Sequence, residues 1–465
     1  MKKRVIGTIL AVMLGMALFV GCGGKDGADR VDEPREEREQ DAGDSADSGS
    51  EQDAGDSADS RSEQDAGNGA GSRSEQDAGD GMDRGSVEMA EYDEAQLREG
   101  YIDYSVDLLK ESVSDGTNSM ISPLSVMMAL DMAAAGANGE TQEQITQMLC
   151  PGASQAQIES YINDLMERYQ ANEDVELHIA NSIWINEEFA GGMKTDYLDR
   201  ANQVFDAVAK VLAFDGAAVE EINGWVDENT NGMIDQLLNS IQPDAALYLL
   251  NATAVEAPWE EPYEDAQVWE DDFTDAAGQT QSVEMMHSTE KVYFETEDAT
   301  GFLKYYEGGE YGFLTILPKE GMTVEEYLSG MTGESYREFY DSRTQEFDVY
   351  TMMPKFTYEY ELTMNDVLYA LGVKDAFDGG LADFSGIADS AGGNLYISRV
   401  LHKTFIEVGQ YETRAAAVTG IMMTNTCAPI EIEYKEVYLD RPFIYAIIDT
   451  QTGAPIFMGT LQDVQ

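Results

Sequence analysis

The sequence predicts an α+β domain that follows an unfolded leader region. Apolar residues at helical spacing cluster early: Leu97, Tyr101, Tyr104 and Leu108 recur every three to four positions, with Leu109 beside the last. Runs of β-forming residues crowd the second half, at 312–317, 346–350, 396–408, 431–438 and 443–449. Between them, Ala245 to Val255 is apolar on both faces, as a strand in the middle of a covered sheet must be. Helices first and strands later suit one α+β unit better than alternating βαβ repeats.

Taken in order, residues 1–22 read as an export signal. Lys2, Lys3 and Arg4 form a basic end, and Val5 to Val20 form an apolar run too short for a membrane span. The run stops at Phe19-Val-Gly-Cys22, which resembles a bacterial lipoprotein cleavage site with Cys22 as the lipid-bearing residue. Phe19 departs from the leucine usual there. A di- or triacyl anchor holds a protein stably at a membrane, so the expected location is the outside of the cell envelope. The anchor is then the only contact with membrane.

Residues 23–86 are low-complexity. The tetrapeptide Glu-Gln-Asp-Ala begins at 39, 51, 63 and 75, and the tract is nearly devoid of apolar side chains. It cannot bury enough surface to offset the entropy of ordering, so a disordered acidic linker is expected. Its random-coil reach is on the order of 45 Å.

Residues 87–465 form the folded part. Ser122-Pro123 reads as a helix N-cap with proline at the first helical position, and Gly136 as that helix's stop. Thr141-Gln-Glu-Gln144 reads as a capping box opening the next helix. Leu177–Ile185 alternates as a strand, and Glu220–Leu238 reads as a helix with Gly232 near its end.

Composition narrows the function. The chain has 28 basic and 89 acidic residues, a net charge of −61. Phosphate backbones are repelled by such a surface, so no nucleic-acid partner is expected. Of the three cysteines, Cys22, Cys150 and Cys427, no two form a CxxC pair, and no Cys/His cluster is present. Metal sites and cofactors therefore have no support. Cys150 reads as a small core hydrophobe at a helix end, and a Cys150–Cys427 pairing is left open. There are three histidines and no GxSxG, HExxH or GxxxxGK[ST] motif, so no enzyme is expected.

Leu401–Ala428 is the stretch that organises this reading. Phe405, Ile406 and Val408 are strand formers. Thr413-Arg-Ala-Ala-Ala-Val-Thr-Gly420 follows, small and free of proline. As a strand it turns Thr413, Ala415, Ala417 and Thr419 to one face and Arg414 to the other. A small, uncharged face suits a segment that joins a sheet without belonging to it permanently.

This stretch resembles the hinge and reactive loop of the serpin family. Other motifs follow in that family's order: Asn118-Ser-Met-Ile-Ser-Pro-Leu-Ser125 with Gly136-Ala-Asn-Gly-Glu-Thr141, then Ala180-Asn181, Asn251-Ala252 with Trp259, Asp383-Phe-Ser-Gly386, Arg441-Pro-Phe443 and Phe457-Met-Gly459. The resemblance implies three β-sheets, about nine helices and an exposed C-terminal reactive-centre loop. It implies a suicide substrate: a serine protease cuts the loop, and the freed strand inserts into the main sheet before the acyl-enzyme hydrolyses. Residues 413–426 as a strand extend about 46 Å. Ser122, Ser125, Asn251 and His402 match a family cluster that controls sheet opening, and Trp259 matches the tryptophan where the loop enters. The hinge spans Glu412, Thr413, Arg414, Ala415, Ala416 and Ala417. Here Gln410, Tyr411, Glu412 and Arg414 depart from the family's usual acidic residues and glycine.

Counting along the loop as the resemblance implies, the reactive bond is Thr426–Cys427. A small β-branched residue suits the shallow pocket of an elastase-like protease and not a trypsin-like one. Met422 and Met423 leave subtilisin-like or papain-like targets open, and Cys427 reads as an exposed, oxidisable thiol. The expected partner is such a protease, held covalently by a monomer. The alternative is a non-inhibitory surface-binding protein of the same fold, whose loop is only a substrate.

Overall fold

The computed structural model describes residues 94–172, 175–205, 207–390, 393–413 and 433–464. Cys22, the linker, Arg414 to Ala417 and the Thr426–Cys427 bond lie outside the described residues. Among the described residues there are nine α-helices and three principal sheets, as expected for the α+β class.

Six helices fall in the first half: α1 (Glu94–Ser112), α2 (Pro123–Ala135), α3 (Gly139–Leu149), α4 (Gln155–Ala171), α5 (Thr195–Val204) and α6 (Gly216–Asn229). Three short ones follow: α7 (Val324–Gly330), α8 (Gly333–Asp341) and α9 (Asn365–Ala370). The first sheet is built from β1 (Ser119–Ile121), β18 (Pro455–Leu461), β17 (Phe443–Asp449), β10 (Tyr311–Pro318), β9 (Ala299–Tyr305) and β8 (Val292–Glu295), in that order. β10, β17 and β18 are buried throughout, which explains their near-continuous apolar sequence. A second sheet runs β16 (Tyr434–Tyr438), β11 (Asp348–Pro354), β7 (Thr280–Glu290) and β6 (Val268–Thr274). β3 (Ala190–Met193) and β13 (Ala388–Ser390) pair apart from these.

The main sheet runs β12 (Phe356–Thr363), β14 (Ile397–Val408), β15 (Glu412–Thr413), β5 (Leu247–Pro258), β2 (Glu176–Asn186) and β4 (Val208–Leu212). Helix α2 lies against it, packing on β2, β5 and β18. Its residues Pro123 to Ala134 are all buried, which accounts for a helix that is apolar all round.

Two helix readings need correction. α3 starts at Gly139, with Asn138 as N-cap. Thr141 therefore sits in its first turn, and its hydroxyl instead accepts the backbone N–H of Asp383 at 3.0 Å. A tertiary contact thus takes the oxygen that a capping box would use. The helix expected at 220–238 begins earlier and ends sooner. Asp215 caps it by accepting from the N–H groups of Ala217 and Ala218. It stops at Asn229 because Asn231 and Gly232 take φ of 52° and 73°, two consecutive left-handed residues that break the ladder. The expected strand at 346–350 is displaced as well. β11 runs on to Pro354 because its partner β7 continues to Met285.

Candidate functional site

The chain's distinctive feature is a seam in the main sheet. β14 and β5 pair in parallel from Ile397↔Leu247 to Phe405↔Ala254. Beyond that point the strands part, and β15 fits between them, antiparallel to both: Thr413 pairs with Val408 and Ala257, Glu412 with Pro258.

Midway along the seam, His402 faces Asn251, and Asn251 faces Asn181 on β2, so one row crosses three strands. Cross-strand partners share a face, which brings these side chains together beneath the sheet. There they meet the start of α2. The Ser122 N–H donates to His402 Nε2 at 3.2 Å. The ring proton therefore sits on Nδ1, which donates to Asn251 Oδ1. Asn251 Nδ2 donates to Asn181 Oδ1 at 2.5 Å and to the Ser125 hydroxyl. Ser122 Oγ accepts the Ser125 N–H as the helix cap and donates to Ile456 O at 3.0 Å. His402, Ser122 and Ser125 are fully buried, and Asn181 and Asn251 nearly so. Burial without a charged partner drops the His402 pKa to about 3, so the ring stays neutral and the network carries no net charge.

At the head of the seam, Thr413 is fully buried, and its hydroxyl shares a 2.7 Å hydrogen bond with the Tyr306 phenol. Tyr306 stacks on Trp259, with centroids 4.6 Å apart and planes 7° from parallel. Trp259 binds the turn before β15 twice: its indole N–H donates to Gly409 O at 3.0 Å and its backbone N–H to Tyr411 O at 3.1 Å. Gln410 bonds Tyr263 through both backbone and side chain and reaches Asp265 at 2.9 Å. Behind these rings lies a buried cation. Lys304 Nζ pairs with Glu290 at 3.0 Å, bonds Glu261 O at 3.0 Å and sits 4.3 Å from the Tyr263 ring centroid.

Ser122, Ser125, Asn251 and His402 therefore share one network, while Trp259 belongs to the hinge end of the same seam. Of the hinge residues, Glu412 and Thr413 are described. Asn181, Tyr306, Lys304 and Gln410 join these networks without having been singled out for them. Asn181 had a signal, because Ala180-Asn181 and Asn251-Ala252 are the same two residues on antiparallel strands. Lys304 and Tyr306 had no local mark at all. Cys150 caps α3 and is a free, buried thiol. No group of His, Cys, Asp and Glu among the described residues could hold a metal.

The comparisons agree with this architecture. Residues 99–464 match the family model described as Serpin (serine protease inhibitor). A serpin-like protein of Thermococcus kodakarensis is 33% identical over 366 residues, covering 77% of this chain and 84% of its own length. The native-state crystal structure of tengpin, a thermophilic serpin, superposes with a TM-score of 0.75 at 43% identity, covering 80% of this chain and 95% of that one. Tengpin in its latent state scores 0.69 at 39% identity, over 80% of this chain and 98% of that one. With the family model spanning nearly all of the folded part and the seam laid out as above, the chain belongs to the serpin family, a family of serine protease inhibitors.

Proposed function

We propose that this chain is a suicide inhibitor that traps serine proteases covalently by inserting its cleaved loop into the β14–β5 seam, with elastase-like enzymes as its first targets. The observation that carries this is β15. Glu412–Thr413 already pairs with both seam strands, so the first rung of the insertion is in place. The protease's nucleophilic oxygen attacks the Thr426 carbonyl, the Thr426–Cys427 amide breaks, and the Cys427 amine leaves with a proton from the protease's acid. The ester at Thr426 then moves with the inserting strand, faster than water reaches it.

Glu412, in place of the family's glycine, favours the substrate-only reading. Yet Asn231 is the only non-glycine residue with positive φ among the described residues. Glu412 therefore holds a backbone conformation open to any residue, and glycine's freedom is not required in this state. The elastase-like preference rests on Thr426 alone. The anchor at Cys22, the acidic linker and an extracellular monomer at the cell envelope complete the proposal.

A denaturing gel of the protein mixed with pancreatic elastase tests it. A heat- and detergent-stable complex supports trapping, and cleaved protein alone refutes it. Mass spectrometry of the released C-terminal peptide locates the cut bond.

A further inference from the structure

The outer face of the second sheet carries an unusual set of exposed rings. Tyr434 is 61% exposed, Trp269 47%, Tyr350 44% and Tyr438 37%. Strand register puts them on one face. Tyr350 pairs with Glu436, which lies between Tyr434 and Tyr438 on the same side of β16. Tyr438 pairs with Met352, and Met352 with His287 on β7. His287 stacks on Trp269 of β6, with centroids 3.5 Å apart and planes 7° from parallel. The Tyr350 and Tyr434 rings are 5.4 Å apart. An aromatic belt thus crosses all four strands in a chain where only 9% of residues are aromatic. Large rings left in water together on one sheet face mark a contact surface more often than chance exposure.

Chain length says what covers it. β16 begins at Tyr434, and Cys427 to Ile432 are the only residues between the proposed reactive bond and Glu433. Six residues span at most about 20 Å. A protease domain has a radius of gyration of about 17 Å, so one seated on that bond comes within reach of the end of the sheet where β16 starts. The belt is flanked there by the carboxylates of Glu433 and Glu436, whereas Asp348 is already paired with Lys291; the two glutamates favour a partner offering arginine or lysine over the ring faces.

We infer that this aromatic belt is a second docking surface for the target protease, one presenting basic side chains beside its active-site cleft. The belt speeds capture and leaves the later partition between trapping and hydrolysis alone. The inference rests on the proposed function only in needing a protease at the loop, whether trapped or merely cutting.

The test uses the full chain and the variant Tyr350→Ser/Tyr434→Ser, with pancreatic elastase and subtilisin as probes. Both rings are exposed, so the melting temperature should not move, which checks folding. With at least one probe, the second-order rate constant of complex formation should fall about fivefold or more, the loss typical of interface anchors. The stoichiometry of inhibition should stay unchanged. If the wild type forms no complex, the inhibitor reading fails by itself. kcat/KM for loop cleavage then takes the place of the rate constant, with the same fall expected. Rates within twofold of wild type for both probes overturn the docking surface. So does a wild-type dimer in sedimentation that the variant loses at unchanged rates, because the belt would then bind a second copy.

Discussion

Acidification should loosen the seam, and a second buried group should hide the effect in the wild-type protein. His402 is neutral in the fold with a pKa of about 3, depressed by burial. In the unfolded chain an imidazole titrates near 6.5. The unfolded state therefore takes up a proton first as pH falls, so this contribution is complete above about 6.5 and declines as pH drops towards 3. Between pH 7.5 and 5 the loss is about 2 kcal/mol, from 1.36 kcal/mol per unit. Asp131, on the helix that Ser122 caps, acts in the opposite sense. Burial raises its pKa to about 7, ahead of a hydrogen bond from Gln155 that lowers it and the nearby Glu159 charge that raises it. A raised carboxyl pKa gives stability that is complete below about 3.9 and fades as pH climbs through 7. Over the same interval, acidification gains about 2.5 kcal/mol from Asp131. The two nearly cancel, so together they add almost no slope to wild-type stability from pH 7.5 to 5. Asp131→Asn should uncover the histidine. Urea unfolding followed by tryptophan fluorescence should then show stability falling by about 2 kcal/mol over that range, and adding His402→Gln should flatten it again. A profile in Asp131→Asn as flat as that of wild type would show that His402 is not held neutral and that the seam network is differently protonated.

Three further outcomes follow from the seam. Thr413→Arg puts a cation where Thr413 is fully buried against Tyr306, an unpaired charge costing several kcal/mol. Gel assays should show cleavage retained and the stable complex lost, and an undiminished complex would show that the hinge need not insert. Lys304→Met should lower the melting temperature sharply, because it strands the Glu290 carboxylate at a loss of about 3–5 kcal/mol. Lys304→Met/Glu290→Gln should recover most of that in a thermal scan, since both charges are then gone. Finally, protein clipped in the loop should melt well above intact protein by calorimetry. Equal melting temperatures would mean that the intact fold stores no excess free energy.

The sequence showed the parts of the site more readily than the site itself. Residues marked by a local grammar were legible: Ser122 and Pro123 as a helix start, Gly136 as its stop, and β17 to the residue. The strand from Ile397 to Val408 was legible because β-formers recur along it with no glycine or proline to break it. What escaped depends on partners distant in the chain. Thr141 looks like a cap until Asp383 takes its hydroxyl. Lys304 looks like a surface charge until Glu290, Glu261 and the Tyr263 ring surround it. The belt on the second sheet was invisible for a related reason. Alternation along β6 or β16 marks which residues share a face but not that four separate strands align their rings.

The pairing directions in the main sheet bear on why a loop should insert here rather than at an edge. β12–β14, β15–β5 and β2–β5 are antiparallel, whereas β14–β5 is a parallel joint in the middle of the sheet. Two parallel neighbours can each accept a strand of the opposite direction. A segment that turns back on β14 through Gly409–Tyr411 arrives with that direction already set. Insertion exchanges one parallel joint for two antiparallel ones, which bond slightly better per residue. The exchange is opposed chiefly by what spans the joint. The His402–Asn251 bond crosses it directly and must separate for the new strand to pass. Because that network is uncharged, parting it uncovers polar groups that the inserted backbone or water can satisfy and leaves no buried charge without a partner. A neutral latch is thus compatible with fast opening, whereas a buried ion pair at the same place would hold the sheet shut. The buried ion pair Lys304–Glu290 lies between β9 and β7, off the path of insertion, and Lys403 on β14 pairs with the half-exposed Glu359 on β12, on the side away from β5.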